Sequence, residues 1–178
     1  MTQTEALAIL KSMDNAGTYV FLRRELKRLF DEPSATFAKT LERLVKSRIL
    51  IRAARGVYVF AFSRHLGITT LELITQYLRR LEYNYVSYES ALAEHGLISQ
   101  VPYNLLTVAT TGREGRFDTP YGTIIFTHTE TSPTEIVQNT IEHSSHYLPL
   151  ANTYLALKNQ RSTHQNLELI DEDWSDDL

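Results

Sequence analysis

Through the first 46 positions the apolar residues recur every three or four places, and from Ile49 to Phe60 they crowd into two short runs. The first rhythm is that of helices packed on one side, the second that of strands. Leu7, Ile9, Leu10 and Met13 predict a first helix with Thr4 as its cap, and Asn15-Ala16-Gly17 ends it because Asn and Gly accept a turn's positive φ. A second helix is predicted over about 22–30, with Leu22, Leu26, Leu29 and Phe30 on one face and a break at Asp31-Glu32-Pro33. Ser34 caps a third helix, whose apolar stripe is Phe37, Leu41, Leu44 and Val45. Residues 49–53 and 57–60 read as two strands around a turn at Arg55-Gly56.

Beyond residue 62 helical and strand rhythms mix. A helix is predicted from Thr69 or Thr70 to about Glu82, with Leu71, Ile74, Leu78 and Leu81 on one face. Ser87 caps another, carrying Ala91, Leu92 and Leu97 and ended by Gly96. Strands over 105–110 and 122–129 are joined by the loop from Thr111 to Arg116. Ser132-Pro133-Thr134-Glu135 is a capping box with Pro at the first helical position, and a last helix is predicted over 148–157.

Composition bounds the chemistry. With 178 residues, 43% apolar and 22% charged, the chain is long enough for one or two small globular domains. It has no cysteine, which excludes disulfides, thiolate metal sites and a cysteine nucleophile. No apolar run approaches the roughly 18 residues of a spanning helix, and Met1 to Asp14 contains no apolar signal core, so a cytoplasmic protein that meets no membrane is expected.

Charge changes the picture more. The net charge of −3 hides 11 Lys and Arg against 6 Asp and Glu in residues 1–62, and 7 against 15 in residues 63–178. Opposite halves suggest two domains with different partners. The expected fold class is α+β: an N-terminal winged helix-turn-helix over 1–62, a mixed α/β domain over 63–166, and an acidic tail over 167–178. Three short helices followed by a β-hairpin is the winged-helix order, in which the helix after the tight turn enters the major groove. Its outward face is predicted to carry Thr36, Lys39, Thr40, Arg43 and Lys46, with Glu42 the one acid among them. The preceding helix adds Arg23, Arg24, Lys27 and Arg28, and the hairpin adds Arg52 and Arg55 near its tip. Cations on phosphates give affinity, while Thr36, Lys39, Thr40 and Arg43 are candidates for base edges. Two other readings stand beside this one: the cations only solvate helix faces, or the module docks a protein, as winged helices also do.

Catalytic signals are sparse. There is no G-x-G-x-x-G, P-loop, H-E-x-x-H or G-x-S-x-G. His143 and His146 are spaced as two ligands on one helical turn but lack a third ligand and a base. Arg113 and Arg116 in the Gly112–Arg116 loop offer a phosphate cradle or simply a charged turn. A metal-dependent nuclease would draw on Asp118, Glu130 or His128, yet no clustered carboxylate set is visible. No catalytic residue, cofactor or metal ligand is expected.

Three segments resemble the AbiEi-type antitoxins of type IV toxin–antitoxin (abortive infection) systems. They are LVKSRILIRAARGVYVF at 44–60, YVSYESALAEHGLISQVP at 85–102, and the strand, Thr-Thr-Gly-Arg turn and Thr-His-ended strand of 106–128; LANTYLALK at 150–158 is a weaker echo. Together they cover about half the chain. The resemblance implies a phage-defence regulator of two parts. The N-terminal winged helix would bind inverted repeats in its own promoter, as a dimer or as two monomers meeting on the duplex, and repress the operon. The C-terminal domain would oppose a cognate nucleotidyltransferase-like toxin, without need of a stable complex. From Glu168 to Leu178 six of eleven residues are acidic, with Trp174 among them. This tail reads as a solvated terminus, or as an acidic arm that competes with DNA for the basic face or meets a basic partner.

Overall fold

The computed structural model describes residues 1–99 and 104–170, in a mixed α+β arrangement that divides into two compact units, one of Met1–Thr70 and one beginning at Leu71. The first unit extends past residue 62 because the following segment is tied back to it. Ser63 Oγ donates to buried Asp14 (2.5 Å), and Tyr19 OH and Thr70 Oγ1 share a hydrogen bond (3.2 Å).

In the first unit α1 (Gln3–Asn15) starts at Thr2 rather than Thr4. Thr2 accepts from the Glu5 N–H and Glu5 accepts from the Thr2 N–H, a reciprocal box that leaves Thr4 no orphan donor to satisfy. Ala6 and Leu10 form its buried edge, while Leu7, Ile9 and Met13 are half-buried. β1 (Val20–Leu22) leads directly into α2 (Arg23–Phe30), which ends on Asp31 in the left-handed region at φ 46°. α3 (Ser34–Lys46) follows, with Pro33 rather than Ser34 in the cap position. β2 (Leu50–Ala54) and β3 (Val57–Phe60) form an antiparallel hairpin whose turn rests on Gly56 at φ 80°. The sheet order is β1-β3-β2. β3 is the central strand, and its four residues Val57, Tyr58, Val59 and Phe60 are all buried. Phe37 of α3 is fully buried, with its ring 6.2 Å from that of Phe30 on α2.

The second unit holds a six-stranded mixed sheet in the order β6-β7-β5-β4-β9-β8. Its elements are α4 (Thr70–Leu78), β4 (Asn84–Val86), α5 (Tyr88–Glu94), β5 (Leu105–Thr110), β6 (Gly115–Thr119), β7 (Gly122–His128), α6 (Pro133–Asn139), β8 (Thr140–Ile141), β9 (Leu150–Ala151) and α7 (Thr153–Thr163). α4 stops at Leu78, short of Glu82, so Leu81 lies outside the helix and is fully exposed. β5 and β7 are parallel neighbours, not a hairpin, because β6 returns the chain along the outer edge of β7. α6 begins where Ser132 caps it, but the Glu135 carboxylate meets Lys158 of α7. The last helix starts at Thr153, since Leu150–Ala151 is drawn into the sheet beside β4 and Asn152 takes the cap. At the start of the acidic tail residues 167–169 form a short 3-10 helix, and the remainder of the proposed arm, residues 171–178 with Trp174, lies outside the described residues.

The segment from Tyr85 to Ala91, which carries much of the resemblance, is a packing seam. Buried Asn159 on α7 donates to Tyr85 OH and to Ser87 Oγ (both 2.9 Å). Thr107 Oγ1 donates to the Ser87 carbonyl (2.6 Å), and Thr107 and Ser90 exchange two further backbone-to-hydroxyl bonds. Burial pushes the Tyr88 hydroxyl far above its ordinary range. These side chains satisfy each other inside the unit.

Candidate nucleic-acid interface

α3 is where the outward residues are sorted. At about 100° per residue, Thr36, Lys39, Arg43 and Lys46 fall within roughly a quarter of the helix circumference. All of them are exposed, and Phe37, Leu41 and Leu44 are buried on the other side. Val45, expected in the stripe, is half-buried. Thr40 is corrected: it is 3% exposed and cannot reach a base edge as placed. It stands only about 40° around the helix from Thr36, on the flank that turns toward the core. There its hydroxyl lies by the Glu32 carboxyl, whose Oε2 is buried without a hydrogen-bond partner among the described residues. The Glu32 carboxyl is held below its ordinary range first by the Met1 amine at 2.6 Å and then by Thr40, against an opposing push from burial. Arg43 borders the same group, donating from Nη2 to the Met1 carbonyl (2.6 Å).

α2 and the hairpin bring further cations beside α3. Arg23, Arg24, Lys27 and Arg28 are exposed along α2. The Arg23 N–H donates to the Gly56 carbonyl (2.9 Å), which fixes the Arg55-Gly56 turn against the start of α2. The Arg23 guanidinium lies 5.3 Å from the centre of the Phe37 ring, a cation–π contact that carries α2's first turn onto α3. Lys27 Nζ donates to Ser34 Oγ at the opening of α3 (2.7 Å). Arg52 is exposed opposite Tyr58, next to a β-bulge between Arg52 and Ala54, and Arg55 is exposed at the turn. Arg24, Arg28, Lys39, Lys46, Arg52 and Arg55 make no ion pair with a described residue. Arg48, exposed at φ 56° between α3 and β2, adds a cation that sequence reasoning passed over; its place just after Lys46 was the available signal.

The second unit does not assemble the nuclease set. Asp118 on β6 stands opposite Thr123, pairs with Arg116 (2.9 Å) and accepts from Thr123 Oγ1 (2.8 Å). Arg116, then Thr123, hold its carboxyl below the ordinary range. His128 is five positions further along β7, about 17 Å away at roughly 3.4 Å per residue, and its Nδ1 meets the Gly112 carbonyl at 2.8 Å. Glu130 is exposed beyond the end of β7. At the Gly112–Arg116 loop the Glu82 carboxylate lies directly against the Gly112 backbone, paired with Arg79, whose Nη2 donates to the Arg113 carbonyl (3.0 Å). Arg116 is engaged by Asp118, which leaves the loop poorly suited to phosphate. His143 and His146 sit in an irregular segment, not on a helical turn, and His146 is held by two carboxylates.

The chain matches no protein-family model and no curated protein. Among the described residues no helix is long and apolar enough to cross a membrane.

Proposed function

We propose that the protein is a DNA-binding regulator whose first unit is a winged helix-turn-helix. α3 lies in the major groove, the Arg55-Gly56 turn touches an adjacent phosphate, and Arg23 and Arg24 lie between them. The reading is carried by one observation: four exposed polar and cationic residues line the face of α3 opposite its core, while a backbone hydrogen bond and a cation–π contact draw the hairpin turn and α2 toward it. Phosphate contacts by Lys46, Arg52 and Arg55 supply affinity, and Thr36, Lys39 and Arg43 meet base edges.

The resemblance to AbiEi-type antitoxins extends this reading. In it the protein represses its own operon through promoter inverted repeats, two copies meeting one repeat pair, and its second unit counteracts a nucleotidyltransferase-like toxin. The test is a gel shift on DNA from upstream of its own gene, paired with growth rescue from the toxin of the neighbouring gene. With a slope of about −0.9 per phosphate neutralised, five contacts would weaken binding roughly 500-fold between 50 and 200 mM salt. Affinity that ignores both salt and sequence would contradict the DNA reading, and unrelieved growth arrest would contradict the antitoxin reading.

A further inference from the structure

Glu72 is a buried carboxylate engaged by several donors at once. It is 5% exposed on α4 and takes three donors from one segment: the Tyr147 N–H (2.8 Å), the Leu148 N–H (3.2 Å) and His146 Nδ1 (2.7 Å). The other ring nitrogen, Nε2, faces Glu94 of α5 at 3.5 Å. The segment holding these donors precedes β9, whose Leu150 pairs with Val86 of β4 and whose Ala151 carbonyl meets His95 Nε2 (2.7 Å). All of these bonds fasten the β9–β8 end of the sheet to the remainder of the unit.

The ring's two contacts ask for different protonation states of one imidazole. A neutral histidine carries one N–H. If that proton stays on Nδ1 for Glu72, the Nε2 lone pair is turned on the Glu94 carboxylate. Only the imidazolium presents a proton and a positive charge to both carboxylates. We propose that Glu72, His146 and Glu94 form a protonation-controlled latch, which holds the 142–149 segment to α4 and α5 when the ring is charged and loosens it when the ring is neutral. The groups facing the ring are Glu72 from α4, Glu94 from α5, and His143 of its own segment, whose ring centre is 6.0 Å away. An open cleft of about 560 Å³ lies beside Gln76, His143, His146 and Tyr147.

Burial alone would push the His146 ring down; the Glu72 carboxylate, and Glu94 after it, outweigh this and raise it above the ordinary histidine value. A group raised in the folded state stabilises fully below its unfolded value, near pH 6.5, and that stabilisation is lost as pH climbs through the folded value. The latch is therefore closed in mild acid and released toward alkaline pH.

The test follows the His146 ring resonance and the hydrogen exchange of the Tyr147 and Leu148 amides in the full chain from pH 6 to 9. His146 should titrate above ordinary histidine. Protection of the two amides, corrected for the chemical exchange rate, should fall about tenfold for each unit by which the ring's folded midpoint exceeds its unfolded one. His146→Gln keeps a donor for Glu72 but no charge, so its protection should be low and flat with pH. Glu94→Gln lies on an exposed side chain and should lower the His146 midpoint without unfolding the unit. A ring that titrates at or below the ordinary value, or a His146→Gln protein with the same pH trend as the parent, would overturn the latch.

Discussion

Replacing Lys39 and Arg43 together by Ala should abolish specific DNA binding while the first unit stays folded. Both side chains are exposed on the outward stripe of α3, and neither belongs to the buried face of Phe37, Leu41 and Leu44. Losing Arg43 removes a donor from the Met1 carbonyl, which can turn to water. Each groove contact is worth about 1–3 kcal/mol, so the double change should weaken the specific complex on the order of 100-fold or more. Its far-ultraviolet circular dichroism and melting midpoint should stay close to the parent's. Thr40→Ala is the matched control on the same helix. Thr40 is buried against Glu32, so the substitution should lower stability and leave the affinity of the folded protein unchanged. Full affinity in the double variant, or a DNA-binding defect in Thr40→Ala at a temperature where it is folded, would show that the outward face has been assigned wrongly.

The second large effect is expected at Phe37. Its side chain is fully buried, packs against Phe30, and supports the Arg23 guanidinium on its ring. Phe37→Ala leaves a cavity between α2 and α3 and should cost about 3–5 kcal/mol. For a domain of this size that is roughly 12 °C or more in melting temperature. The loss should appear as faster hydrogen exchange throughout the first unit. Arg23 loses its platform as well, so DNA affinity should fall even where the variant remains folded. A loss below about 1 kcal/mol would mean that the contact between α2 and α3 is not what sets the position of α3.

These two predictions rest on the part of the molecule where the sequence was most legible. The helices of the first unit show their apolar faces at regular spacing, and the 57–60 strand was found at its observed limits because all four residues are apolar and Gly56 marks the turn. What escaped were elements defined by partners distant in sequence. β1 is three residues long and exists because Val20, Phe21 and Leu22 pair with Val59, Tyr58 and Val57; of the three only Leu22 was read from the sequence, as the start of the second helix. β6 is an edge strand whose charged residues, Arg116 and Asp118, face solvent and erase any apolar rhythm. β8 and β9 are two residues each, too short for a period to be seen.

The candidate interface was legible to the same degree and failed for a related reason. Ten of the eleven residues named for the interface are exposed, eight of the nine on α2 and α3 and both on the hairpin, and Thr40 went wrong because the edge of a helical stripe is decided by what packs there. The hydrogen bond from Arg23 to Gly56 and the stacking of Arg23 on Phe37 left no local trace in the sequence either. The His146 cluster was hidden more deeply. Its carboxylates come from α4 and α5, and the spacing of His143 and His146 pointed instead to a helical turn that does not form.

The face of the first unit is tested most directly by titrating the isotope-labelled full chain with duplex DNA from upstream of its gene and following the backbone amides by NMR. The shifts should concentrate in residues 34–46 and at Arg52 to Gly56, with smaller ones at Arg23 and Arg24, and should weaken as salt is raised. Shifts confined to residues beyond 71, or no saturable change in the first unit at low salt, would contradict a DNA-reading role for α3.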